Sequence, residues 1–138
     1  MVLLSCSDEE GVAYVETKNL DGETNLKNKY VNKDLFIEMS NERTADLKEQ
    51  CKRLKNFYPV MNLEGPNNLI YKFDANMTFE KTTDSSTPQR KTLSVEDIDS
   101  NKTTVPLSND NVCLRGMSLK NTEWILGVVV YTGHQTKI

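Results

Sequence analysis

Residues 11–27 read GVAYVETKNLDGETNLK, and this stretch decides how the rest of the chain is understood. In an extended backbone Val12 and Tyr14 fall on one side and Ala13 and Val15 on the other. All four are apolar, so residues 11–17 read as a strand buried on both faces. The strand runs straight into an acidic loop, DGET, at residues 21–24. Asp-Gly is a common turn dipeptide, and a hairpin turn is the ordinary reading. The same four residues also suit chemistry. Gly22 lets a ligand approach the backbone with no Cβ in the way. Glu23 then carries a carboxylate to the loop tip, and Asp21 and Thr24 can fix the loop by hydrogen bonds to backbone groups. A carboxylate so placed can orient a water molecule and partly deprotonate it.

Around this stretch the chain alternates between β signals and polar connections. Residues 1–6, MVLLSC, open as a strand already under way. In NERTADLKEQCKRLKNFY, residues 41–58, Leu47, Cys51, Leu54 and Tyr58 recur every three or four positions, which predicts one helix over about 41–57. Asn41 or Thr44 can cap its start, and its basic later turns suit the helix dipole and read as a solvated face. Residues 68–80 alternate, with Leu69, Tyr71 and Phe73 on one side, and predict a strand with one wet face. Residues 81–110 are dense in Ser, Thr, Asp and Lys and read as a polar, mobile insertion loop within the domain. NVCLRGMSLKN and EWILGVVVYTG then read as two more strands, the second central, with Gly127 marking a bulge or a close backbone approach.

Composition narrows the function. The chain has 138 residues, enough for one domain, and a formal net charge of -3, which argues against a nucleic-acid partner. Its longest apolar run, WILGVVVY, has strand length rather than the ~18 residues of a membrane span. No basic region precedes the first apolar run, so no secretory leader is expected. Cys6, Cys51 and Cys113 are odd in number and far apart, which predicts free thiols rather than a disulfide framework or a zinc site. His134 is the one histidine, so neither a histidine metal cluster nor a serine–histidine triad is indicated, and it reads as a surface or turn residue. Neither GxxxxGK[ST] nor GxGxxG occurs.

VLLSCSDEEGVAYVETKNLDGETNLK (residues 2–27), EGPNN followed by an aromatic run (64–73), and LRGMSLKNTEWILGVVVYTGHQTKI (114–138) appear in an order that resembles the actuator domain of type IV P-type ATPases, the phospholipid flippases. Related ion pumps carry TGES where this family carries DGET. The resemblance implies a mainly β fold with some helix, a distorted jelly-roll-like domain, formed by residues 1–138 as a single, N-terminally truncated actuator domain. It implies a fragment of an ATP-driven phospholipid translocase. In it, Glu23 positions and activates the water that dephosphorylates a phosphoaspartate, while Asp21, Gly22 and Thr24 shape the loop and help it dock.

The same resemblance implies no cofactor in this chain, with ATP and Mg2+ bound elsewhere in the parent. Its implied partners are the phosphorylation and nucleotide-binding domains of the same polypeptide, the transmembrane helices, phospholipid and an accessory subunit. The domain is expected on the cytosolic face of an integral membrane protein and catalytically silent in isolation. Two alternatives stand beside this reading: a flippase-like regulatory module within a larger signalling protein, and a free-standing β-rich binding domain.

Overall fold

Val2–Cys6, the apolar run at the start, forms β1, and all five of its residues are buried. The structure, a computed structural model, describes residues 1–39, 47–55, 57–81 and 102–136. Strand β2 spans Val12–Glu16, and a short helix α1, Lys18–Asp21, follows it. Then come β3 (Leu26–Tyr30), α2 (Lys33–Met39), α3 (Leu47–Leu54), β4 (Val60–Leu63), β5 (Ala75–Glu80), β6 (Lys102–Leu107), β7 (Ser118–Lys120) and β8 (Ile125–Val128). Among the described residues these strands form three antiparallel sheets, with strand orders β1-β8, β3-β2-β7 and β4-β5-β6. The fold is mainly β with few helices, as expected.

One apolar cluster joins the sheets. It takes Val2 and Leu3 from β1, Ala13 and Val15 from β2, Leu35 and Met39 from α2, Met77 and Phe79 from β5, and Val105 and Leu107 from β6. Burying each of the Val, Leu, Met and Phe side chains among them fully is worth about 1.5–3 kcal/mol. Leu35 and Met39 are four residues apart and share one helical face, which α2 sets against β1. Leu3 stands opposite Gly127 in the β1–β8 pair, and the register shifts between Leu3 and Ser5. A Cβ on Gly127 would lie 2.4 Å from Met1 Cγ and 2.6 Å from the Val2 carbonyl oxygen. Both expectations for that glycine, irregular pairing and close approach, therefore hold.

Several sequence expectations need correction. Strand β2 buries Ala13 and Val15, but Val12 and Tyr14 are only half-buried, because a three-stranded antiparallel sheet lays one face on the core and leaves the other partly wet. The alternating stretch 69–73 is not a strand. Residues 70–71 form a turn, Leu69 and Tyr71 are exposed, and β5 begins at Ala75 with Met77 and Phe79 inward. Helix α3 is described over Leu47–Leu54; residues 41–46 of the expected helix lie outside the described residues, while beyond Leu54 the chain leaves the helix and Tyr58 is 84% exposed. Leu47 and Cys51 also face outward, whereas Gln50 is enclosed. The helix is tied down by the Arg53 guanidinium, which donates to the Glu38 carbonyl at 3.0 Å. The candidate caps Asn41 and Thr44 lie outside the described residues.

Within the polar stretch 81–110, residues 82–101 lie outside the described residues, but Lys102–Leu107 is strand β6. It pairs with all of β5, from Ala75↔Leu107 to Glu80↔Lys102. Its every-second-residue apolar positions, Val105 and Leu107, were enough to seat it on the core. At the C-terminal end the predicted central strand is short. Among the described residues β8 pairs with β1 alone, and Val128 and Val129 are exposed. Of the segment 111–121, only Ser118–Lys120 is strand, with Val112 bridging to Val2.

Tyr131, beyond β8, stands edge-on to Phe73 with centroids 6.4 Å apart, and its hydroxyl donates to the Glu64 carbonyl at 2.7 Å. Tyr131→Phe keeps the ring and removes one hydrogen bond to a half-buried carbonyl. A loss of about 1 kcal/mol is expected, read as a lower urea midpoint with an unchanged slope.

Candidate functional site

The DGET loop grows from the β2–β3 hairpin. Glu16 pairs with Leu26 and Val15 with Lys27, so residues 17–25 form the connection. It is a hairpin connection, though far from the tight two-residue turn that Asp-Gly alone suggests. The chain leaves β2 through Thr17, which is buried, and winds one helical turn, α1. Leu20 and Asp21 donate their amides to the Thr17 carbonyl at 2.8 and 3.1 Å, and Gly22 donates to Lys18 at 3.0 Å. Gly22 closes this turn in the left-handed conformation, φ 75°. A Cβ there would meet nothing within 4 Å, so what requires glycine in this structure is its backbone angle rather than crowding.

Asp21 is the hub of the loop. Its carboxylate accepts from the Thr17 hydroxyl at 3.0 Å to each oxygen, from the Glu23 amide at 2.9 Å and from Lys27 Nζ at 2.9 Å. Lys27 Nζ also lies 2.6 Å from Glu23 Oε2. Glu23 itself projects outward, with 58% of its side chain exposed against 14% for Asp21. Asp21 thus ties the Thr17 hydroxyl, the Glu23 amide and the Lys27 ammonium together. Thr24 takes no part in this: it is exposed, and its side chain has no hydrogen-bond partner among the described residues.

The loop root is also held. Leu20 packs beside Gly116, where a Cβ would come within 3.0 Å of it. Lys29, two residues along β3 from Lys27 and on the same face, is buried and donates to the Asn109 carbonyl at 2.7 Å. Burial pulls its pKa below the ordinary lysine value. Asn111 donates to the Tyr30 carbonyl at 2.8 Å, adding a second tie between β3 and the turn at Asn109–Asn111. Between these elements lies a cleft of about 220 Å³, lined in part by Thr17, Leu20, Asp21, Lys27, Lys29 and Tyr71.

The electrostatics follow from this geometry. The Lys27 ammonium, then the Glu23 amide and the Thr17 hydroxyl, hold the Asp21 carboxyl down at about 2, while Asp21 and Glu23 push Lys27 above the usual lysine range. A depressed acid contributes stability that is complete above its unfolded value of about 3.9 and is lost as pH falls through the folded value. The loop tether is therefore expected to survive at pH 4 and to release as pH falls toward 2. A carbon NMR titration of the Asp21 carboxyl reads this directly. Its midpoint is expected to rise toward the ordinary aspartate value in Lys27→Met.

Lys27 and Thr17 were not singled out from the sequence. Their signals were the four-residue spacings, Thr17 to Asp21 across a helical turn and Glu23 to Lys27 into the next strand. The remaining sequence candidates stay apart from this site. His134 is exposed in the short turn Gly133–Gln135. Cys6, Cys51 and Cys113 are free, the first and last of them buried. Among the described residues no group of three or more His, Cys, Asp or Glu side chains could hold a metal ion, and no helix is long and apolar enough to cross a membrane.

No family model matches the chain. Individual proteins do. The phospholipid-transporting ATPase DRS2 of Saccharomyces cerevisiae is 37% identical over 137 residues, 99% of this chain and 8% of that protein. Phospholipid-transporting ATPase 1 of Arabidopsis thaliana is 39% identical, again over 99% of this chain and 9% of its own length. The phospholipid-transporting ATPase DNF1 of Chaetomium thermophilum is 36% identical over 100% of this chain and 8% of its own length. The chain spans less than a tenth of the curated relatives it matches. Similarity at this level along the whole of the chain, in a mainly β fold with DGET carried on a braced hairpin, places it as a segment belonging to the type IV phospholipid-transporting ATPase family.

Proposed function

We propose that this chain is the actuator segment of an ATP-driven phospholipid translocase, and that Glu23 serves the hydrolysis of an aspartyl phosphate carried elsewhere in the parent polypeptide. The observation that carries the reading is the exposed Glu23 carboxylate at the tip of a loop whose backbone is fixed by Asp21 and by the left-handed Gly22. Such a group is held from behind and open in front, as a residue that acts on a partner domain must be.

In the proposed step Glu23 accepts a proton from a water molecule as the water oxygen attacks phosphorus. The bond from phosphorus to the aspartyl oxygen breaks. Inorganic phosphate leaves and the aspartate carboxylate is regenerated. Little covalent chemistry is asked of the protein, so positioning and charge control dominate. Asp21 and Gly22 set the loop shape, and Thr24, exposed beside Glu23, is free to touch the docking partner. Asp21 and Glu23 are both engaged by Lys27, which leaves this loop poorly suited to a metal ion. By family membership, Mg2+ and ATP would bind the remainder of the parent. Rigid-body movement of this segment against the phosphorylated domain would couple dephosphorylation to lipid movement through the membrane helices. The surface bearing the loop would then face the cytosol.

The test uses the full-length parent in membranes with labelled ATP. An acid-stable phosphoprotein that accumulates in Glu23→Gln and turns over in the wild type supports the reading. If neither protein is ever phosphorylated, the parent is not a working pump and the segment belongs to a regulatory module.

A further inference from the structure

We infer that Lys27 is a positioning residue for Glu23: its ammonium fixes one oxygen of a carboxylate whose side chain is otherwise largely open to solvent. This rests on the reading of Glu23 given above and extends it to a residue outside DGET. Three observations lead here. Among the described residues, Lys27 is the one side chain that contacts the Glu23 carboxylate, and it does so through Oε2. Oε1 remains available to accept a proton. Lys27 is itself held: strand β3 sets its backbone opposite Val15, and Asp21 Oδ2 takes its ammonium at 2.9 Å. Asp21 is fixed in turn by the buried Thr17. A relay therefore runs from the sheet through Thr17, Asp21 and Lys27 to a glutamate that would otherwise rotate freely about three side-chain bonds.

Charge gives Lys27 a second task. Asp21 and Glu23 bring two carboxylates to one loop, and the proposed partner is a phosphoryl group that is also negative. A single cation between the carboxylates lowers the repulsion such a group would meet on approach. Truncating Lys27 therefore removes both the aim of Glu23 and the offset of its charge, yet leaves the Asp21 bonds to Thr17 and to the Glu23 amide in place.

The experiment follows decay of the labelled phosphoenzyme after an unlabelled ATP chase, in the full-length parent, for wild type, Glu23→Gln, Lys27→Met, Lys27→Gln and Lys27→Arg. Lys27→Met is expected to reach the wild-type phosphoenzyme level and to lose it more slowly, by up to about a hundredfold, the cost that displacing a reacting group by about 1 Å can carry. Lys27→Arg keeps a cation at this place and is expected to recover most of the rate, which a merely space-filling role would not require. Decay of Lys27→Met at the wild-type rate, with Glu23→Gln still slow, would overturn the role of Lys27 and leave Glu23 standing. Fast decay in Glu23→Gln would remove both. Should Lys27→Met fail to accumulate, Lys27→Gln against Lys27→Arg decides: slow against fast supports the inference, and equal rates overturn it.

Discussion

Glu23→Gln in the full-length parent is expected to slow ATP turnover by at least about a hundredfold, the lower end of what a positioned general base contributes. The substitution is nearly isosteric. It keeps the Glu23 amide that Asp21 accepts, so the loop retains its main internal bond. What disappears is the ability to accept a proton, together with the ionic contact to Lys27. On the proposed reading, phosphorylation by ATP would use neither group and is expected to proceed. The block then falls after phosphorylation, and most of the protein should accumulate as phosphoenzyme under steady ATP. Glu23→Asp keeps the charge but draws it back by one methylene, so an intermediate rate is expected. ATP hydrolysis and the steady phosphoenzyme level, measured side by side, separate these outcomes from general inactivation, which lowers both.

Gly127→Leu is expected to cost the domain about 3 kcal/mol or more, a large share of a typical stability of about 5–15 kcal/mol. Gly127 faces Leu3 across the β1–β8 pair, and β1 is buried along its whole length. The Met1 side chain could swing away from a new Cβ, but the Val2 carbonyl, 2.6 Å from that position, is backbone. Relief would therefore require β1 or β8 to move, and overpacked cores resist such shifts. Gly127→Ala meets the same carbonyl and is expected to lie between glycine and leucine. Chemical unfolding of the three proteins orders them, and a leucine variant as stable as the parent sequence would show that β8 yields easily.

How legible this molecule was in its sequence differs by element. β1 and the β2 strand were readable because runs such as VLLSC and VAYV leave few alternatives for apolar residues of that length. β6 was hidden, since Thr103, Thr104 and Pro106 dominate the composition of KTTVPL while Val105 and Leu107 do the packing. The stretch 69–73 showed the reverse fault. Its alternation was real, but only Phe73 found the core, and a turn at residues 70–71 kept the rest outside. For α3 the apolar spacing named a stripe, yet Leu47 and Cys51 face outward, and the described turns are held by individual ties, here Arg53 to Glu38 and the enclosed Gln50.

In the site, Asp21, Gly22 and Glu23 were visible because their chemistry is local. Lys27 was not, because its place beside two carboxylates depends on the hairpin register that sets it opposite Val15. Thr24 stands exposed beside Glu23, while the Glu23 amide is taken by Asp21.

The most direct measurement is a pulse-chase of phosphoenzyme in the full-length parent, with wild type and Glu23→Gln labelled for the same brief time and chased with unlabelled ATP. The account predicts equal labelling, rapid loss in the wild type, and label that persists on Glu23→Gln. Equal labelling with equal loss would contradict it, and the acidic loop would then be a turn that happens to carry charge.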